Sequence, residues 1–188
     1  LAPERTADDI DGIIDLLRQF YDCMMKRKEE MQGKLSGRLG ADFTAFQLPA
    51  YIFLFDEFAA FQASTSRDKK RRDEVEEILR TVVLMGRQLG FFVWICMQKS
   101  DSGDIPTAIR DNLPWKICLG NAPSTTLLTI FGHSSDLPSR HWDKGQGLIY
   151  CDSITAAPRP MSFPTLDFDI FKELTNGVTP TQDNPARA

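Results

Sequence analysis

The sequence predicts an α/β fold in which a mostly parallel sheet is flanked by helices. Two apolar runs, at 51–55 and 91–97, have the length and the aromatic and β-branched content of buried strands. Each is preceded by a stretch with helical periodicity, and the alternation of helix and strand continues to residue 119. Such alternation implies right-handed crossovers and parallel neighbours. The composition agrees, with 42% hydrophobic and 26% charged residues in a chain of 188, enough for one domain with a real core. We assign that domain to residues 1–175 and read the Thr/Pro/Asn/Asp-rich stretch 176–188 as a disordered tail.

The elements follow in order. Over residues 8–31, Ile10, Ile13, Ile14, Leu17, Tyr21 and Met24 recur at three- and four-residue steps behind Thr6 and Asp8–Asp9, which marks an amphipathic helix with an N-cap. The tail of this helix, 26–30, is all charged, and the glycine-rich 33–40 reads as the polar loop that follows it. The strand at 51–55 is apolar at every position, as in a central strand covered on both faces. A polar segment, 64–73, leads to a helix whose face is Val75, Ile78, Leu79, Val82, Val83 and Leu89, with Gly90 as its stop. The second strand, 91–97, gives way to a polar loop, a short helix within 105–112 and a strand at 115–119. Ser124 is the expected cap of a helix to Phe131, and 145–151 and 159–163 read as later strands.

Several function classes are disfavoured. The apolar runs are far shorter than the roughly 20 residues of a membrane span, and no basic n-region with an apolar stretch opens the chain. Cys23, Cys96, Cys118 and Cys151 form no CxxC pair and read as reduced core residues. His133 and His141 have no cysteine or carboxylate at ligand spacing, so no zinc site is expected. A net charge of −4 gives no support for a surface basic throughout.

The chemistry concentrates where the first strand runs into Asp56-Glu57. An apolar strand delivering two carboxylates to the C-terminal edge of a parallel sheet is the form of a Walker B motif. In P-loop ATPases the first carboxylate holds Mg²⁺ through its water shell and the second polarises the water that attacks the γ-phosphate. Two acidic residues that merely end a strand are the simpler alternative.

The neighbouring blocks carry a resemblance. Residues 51–60, YIFLFDEFAA, resemble the LVDEFADL-like Walker B of FtsK/SpoIIIE motors, and Gly86-Arg-Gln-Leu-Gly90 resembles the RAxG turn of that family. Residues 91–100, FFVWICMQKS, are similar to its IHLxLATQRP strand. Ile109, Asn112, Pro114 and Lys116 fall within an IxxNIPxRIAF-like segment, and Phe131-Gly132 and 144–150, KGQGLIY, resemble later elements. The blocks occur in family order over roughly 10–165, with a flavour of the FtsK-like proteins of conjugative elements.

The resemblance implies a RecA-like sheet and an ATP-driven double-stranded DNA translocase or coupling protein that works with ATP and Mg²⁺. It further implies a homo-hexamer, partners in conjugation or division, and a cytoplasmic domain of a membrane-anchored parent. By position, Asp56 would hold Mg²⁺ via water, Glu57 would be the catalytic carboxylate, and Gln98 would be the polar sensor that touches the γ-phosphate or its water. Arg87 would be the finger reaching a neighbouring subunit's nucleotide, with a C-terminal arginine answering the helix dipole as the equal alternative. Arg110 is the weaker alternative for that finger, and Lys99 and Arg110 are the weaker candidates for DNA contact. The Lys69-Lys-Arg-Arg72 cluster reads first as a solvated helix start balanced by its own acids.

Two departures stand out. The family's Q-R-P reads Gln98-Lys99-Ser100, without the proline, and no GxxxxGK[ST] occurs in the chain. Under the resemblance the phosphate-binding loop and its strand lie upstream of residue 1, so the sheet would show apolar surface that the intact motor covers, and this segment would tend to self-associate. The rival reading is a non-hydrolysing scaffold or adaptor with a relic RecA-like sheet.

Overall fold

The computed structural model describes residues 5–34, 40–98, 105–132, 137–138 and 140–164. Lys99, His133 and the tail assigned to 176–188 lie outside them. The order of elements is α1 (Ile10–Lys34), a 3₁₀ turn (Phe43–Phe46), β1 (Tyr51–Phe55), α2 (Phe58–Ser64), α3 (Lys69–Leu89), β2 (Phe91–Ile95), α4 (Thr107–Arg110), β3 (Trp115–Leu119), α5 (Ser124–Phe131), β4 (Gln146–Cys151) and β5 (Arg159–Ser162).

The α/β class holds, with a parallel sheet and flanking helices. β1 and β2 pair parallel and in register, from Tyr51 opposite Phe91 to Phe55 opposite Ile95. α3 makes the crossover between them. The later strands pair differently: β3, β4 and β5 form an antiparallel sheet in that order. The link from Cys151 to Arg159 is a short loop, far below the dozen or so residues that a parallel crossover needs.

Helix boundaries follow their caps. Asp9 caps α1, its carboxylate accepting from Gly12 N at 2.9 Å. α3 begins earlier than its apolar periodicity suggests, because the Asp68 carboxylate accepts from Arg71 N at 3.1 Å and starts the helix within the basic cluster. Ser124 is the first helical residue of α5 rather than its cap, which is Pro123. α1 continues through the charged run 26–30, where Arg27 is only 8% exposed. Its guanidinium donates to Pro49 O (2.7 Å) and Leu89 O (2.9 Å) and lies over the adjoining rings of Tyr51 and Phe91, 4.8 and 4.7 Å from their centroids. One cation thus fastens α1 to the starts of both parallel strands.

The main core lies between one face of β1–β2 and the helices α1 and α3. Phe20 of α1 meets Phe53 and Phe91, and Phe58 and Phe61 of α2 close on Phe55. α3 approaches β2 closely enough that a Cβ on Gly86 would stand 2.2 Å from Phe91 O. A separate cluster of Cys118, Phe131, Trp142 and Leu148 holds α5 against β3 and β4. The cysteines split accordingly. Cys118 and Cys151 are buried, Cys96 is half-buried, and Cys23 is exposed, so it is no core residue. It sits on the polar side of α1, next to Asp22 and away from the Met24 stripe.

The other face of β1–β2 is largely exposed, although Phe43 of the 3₁₀ turn packs edge-on against Phe92 with ring centroids 6.0 Å apart. Ile52 and Leu54 are each 62% exposed and Trp94 55%, so β1 is covered on one side and not, among the described residues, on both as its composition suggests. No helix among the described residues is long and apolar enough to cross a membrane.

Candidate functional site at the carboxyl ends of the parallel strands

In-register parallel pairing brings the last residues of β1 and β2 to one edge, so Asp56 and Glu57 leave β1 beside Cys96 and Met97, which leave β2. Two main-chain bonds lock this arrangement. Cys96 N donates to Phe55 O at 2.9 Å, and Phe58 N donates to Cys96 O at 3.0 Å. The Asp-Glu turn is therefore tied to the segment that carries Gln98.

Glu57 adopts φ 50°, ψ 57°, left-handed backbone in a residue with a side chain. That conformation costs on the order of 1 kcal/mol or more and recurs at functional sites. Glu57 occupies the N-cap position of α2 but makes no capping bond with its side chain. Among the described residues neither carboxylate is taken up by an ion pair or side-chain hydrogen bond. Asp56 and Gln98 are exposed and Glu57 is half-buried. The edge thus offers free hard-oxygen donors beside an amide that can donate and accept, a donor set suited to a hydrated divalent cation and the phosphates it accompanies.

The electrostatics report the same proximity. The Cys96 thiol is pushed above the ordinary cysteine range, first by burial and then by the negative charges of Asp56 and Glu57. Cys96 and Arg27 are what the sequence reading missed. Cys96 was legible only as one more apolar strand residue, and Arg27 sat inside a charged run.

The remaining candidates are placed elsewhere. Arg87 is exposed in the last turn of α3, just before Gly90, whose carbonyl accepts from Tyr51 N. It therefore stands at the opposite end of β1–β2, about 15 Å along a five-residue strand from the carboxylates, and does not join them within one chain. Arg110 ends α4, where its guanidinium pairs with Asp111 at 3.3 Å and reaches the Thr107 hydroxyl at 3.5 Å. In the basic cluster, Arg71 pairs with Asp11 (2.8 Å) and Asp68 (3.3 Å), and Arg72 pairs with Glu76 (3.9 Å). These cations are balanced by acids.

No protein-family model matches the chain. Among curated proteins, an FtsK-domain-containing protein of Bacillus subtilis strain 168, YdcQ, is 29% identical over 130 residues, which is 69% of this chain and 27% of YdcQ. This chain is FtsK-like. The FtsK-like segment thus spans about a quarter of that relative's length. Three solved structures share its fold. The pCW3 conjugation coupling protein TcpA, in a monomer form with ATPγS, aligns at a TM-score of 0.65 with 23% identity, over 82% of this chain and 44% of TcpA. EssC from Geobacillus thermodenitrificans, its ATPases 2 and 3, gives 0.59 and 18% over 85% and 29%. The cytoplasmic domain of the type VII secretion ATPase EccC from Thermomonospora curvata gives 0.57 and 16% over 86% and 19%.

Proposed function

We propose that this segment supplies one wall of the ATP site of an FtsK-like motor that moves double-stranded DNA, in the manner of a conjugative coupling protein. The observation that carries the reading is the Asp56-Glu57 turn, strained at Glu57 and bonded through Phe58 N and Cys96 O to the strand end that presents Gln98. The likeness to YdcQ supports the family, and TcpA, a conjugation coupling protein held with ATPγS, supports the choice of nucleotide and of conjugation as the setting.

In this reading Asp56 would hold Mg²⁺ through its water shell, and the ion would supply positive charge to the β- and γ-phosphates. Glu57 accepts a hydrogen bond from the attacking water and turns its lone pair toward the γ-phosphorus. Gln98 accepts from the same water with its amide oxygen and donates to a γ-phosphate oxygen with its NH₂. That Glu57 and Gln98 follow the ends of neighbouring parallel strands supports their acting on a single water. Arg87, too far from its own chain's carboxylates, acts across a subunit interface of a homo-hexamer on the neighbour's nucleotide. Lys99 and Arg110 make non-specific phosphate contacts with DNA. The phosphate-cradling loop comes from polypeptide outside these 188 residues, in a parent whose motor domain is cytoplasmic and membrane-anchored.

The decisive experiment is Glu57→Gln in the protein with its phosphate-binding loop. ATP turnover falls by two or more orders of magnitude, about 3 kcal/mol of barrier, while ATP binding measured by calorimetry stays intact. Undiminished hydrolysis would remove Glu57 from the mechanism. Arg87→Ala should lose turnover to a similar degree, and mixing it with Glu57→Gln subunits should restore partial activity, because at some interfaces both lesions then fall in one site and leave another site intact.

A further inference from the structure

The ATP reading gives Arg87 a target on a neighbouring subunit and leaves open what sets its direction. Among the described residues the Arg87 side chain makes no ion pair or hydrogen bond, so only the last turn of α3 aims it. A helix end frays unless its free carbonyls are taken up. This one is held by three parts of the chain that are remote from it in sequence. Gly90 turns the backbone at φ 76°, and its carbonyl accepts from Tyr51 N at 2.8 Å. Leu89 O accepts from the Arg27 guanidinium at 2.9 Å. The third hold is the segment 41–48. Gln88 Nε2, next to Arg87, donates to Ala41 O at 3.3 Å. The Phe43 ring stands against Gly90, where an added Cβ would fall 2.6 Å from Phe43 Cδ2 and 3.2 Å from Arg27 Nη1.

That segment is itself stiffened. The Asp42 carboxylate accepts from the Thr44 hydroxyl at 2.6 Å and from Thr44 N at 2.9 Å, bonds that hold its carboxyl below the ordinary aspartate range. Gln47 closes the turn in left-handed backbone, φ 54°, and Leu48 N returns to Phe43 O at 3.0 Å. A residue with a side chain stays in that conformation only where its surroundings impose it. Phe46 and Leu48 pack against the main apolar cluster, whereas Phe43 is not part of it and makes its ring contacts at Gly90 and Phe92. One aromatic of the turn thus serves the end of α3 rather than the core.

We infer that the turn Phe43–Phe46 is a brace for Arg87, with Phe43 and Gln88 as positioning residues that fix the last turn of α3, so that Arg87 enters the neighbouring subunit's ATP site from a set place. The inference rests on the reading of Arg87 as the finger. An exposed arginine without a side-chain partner must be ordered when subunits meet, and a fixed backbone lowers that entropic cost. Misplacing a group that contacts the transition state by about 1 Å can lower the rate by about a hundredfold. The brace therefore acts on turnover through Arg87 and touches no nucleotide itself.

The test is a double-mutant cycle between brace and finger in the protein with its phosphate-binding loop. Phe43→Ala should lower kcat about tenfold with the KM for ATP unchanged. Asp42→Ala, which releases the turn but keeps Phe43, should lower kcat in the same way by a smaller factor. In an Arg87→Ala background neither substitution should lower it further. Without nucleotide, hydrogen exchange followed by mass spectrometry should show the amides of 86–90 opening faster in Phe43→Ala, while those of 75–82 keep their rates. Loss by an equal factor in both backgrounds would overturn the inference and make the turn a general support of the fold. Full kcat in Phe43→Ala, or unchanged exchange at 86–90, would overturn it as well. Should Phe43→Ala fail to fold, Asp42→Ala and Gln88→Leu carry the same cycle. Full turnover in Arg87→Ala alone would remove the finger and the brace together, whereas an inactive Arg87→Ala beside a fully active Phe43→Ala removes the brace only.

Discussion

At the scale of single residues, the site and its anchor lie at opposite ends of the same two strands. Cys96 sits against the carboxylates, and its thiol is held in the protonated form by burial and by their charge. Glu57→Gln or Asp56→Asn removes one negative neighbour, so thiolate forms at lower pH and Cys96 reacts faster with a thiol reagent near neutrality. The measurement uses a Cys23→Ser background, because Cys23 is exposed; a pH profile of Cys96 alkylation that both substitutions leave unmoved would contradict the geometry. At the other end Arg27 satisfies two main-chain carbonyls. Arg27→Met keeps an unbranched apolar side chain at this buried position but strands Pro49 O and Leu89 O, and should cost about 3 kcal/mol in denaturant unfolding. Gly86→Ala drives a methyl into Phe91 O and should cost about 1–3 kcal/mol with no change in charge.

Between elements, the contact most open to pH is that of α1 with α3. Arg18 holds Glu74 with two bonds, Nε to Oε1 at 2.6 Å and Nη2 to Oε2 at 2.9 Å. That hydrogen bonding sets the Glu74 carboxyl below its ordinary range. A depressed carboxylate contributes stability above the unfolded-state pKa and loses it as pH falls through the lower native value. Arg18→Met should therefore lower the melting temperature at pH 7 and have no effect well below the glutamate range, and high salt should shrink the difference. Equal destabilisation at both pH values would mean that the stem of Arg18, not its charge, does the packing. Elements were the scale most legible in the sequence. Both parallel strands begin where their apolar runs do, because an uninterrupted aromatic and β-branched run has few alternatives. Sequence periodicity misplaced the start of α3, since Asp68 caps a turn with no apolar face to betray it, and it gave no sign of α2, whose first buried residue, Phe58, belongs to the Asp-Glu-Phe motif and whose second, Phe61, follows three residues on. The left-handed backbone at Glu57 leaves no trace in residue type, and pairing direction in the later strands depends on partners that a linear pattern does not name.

For the whole molecule, two apolar clusters with no residue in common imply uneven stability. The first joins α1, α2, α3 and β1–β2 around Leu17, Phe58 and Leu79; the second joins α5 to β3 and β4 around Trp142 and Leu148. Native-state hydrogen exchange should show amides of β3–β5 opening at lower free energy than those of α3 and β2, because the second cluster is small and its sheet keeps Trp115 and Leu119 exposed on one face. Exchange from both clusters at one common free energy would show a single cooperative unit instead.

The backbone at Glu57 has a consequence for directed evolution. Glycine or asparagine relaxes a left-handed position that glutamate occupies under strain. Selection for heat resistance alone should therefore replace Glu57 early, and selection that also demands work from the protein should keep it. The position would mark, in a library of survivors, where stability and activity pull against each other.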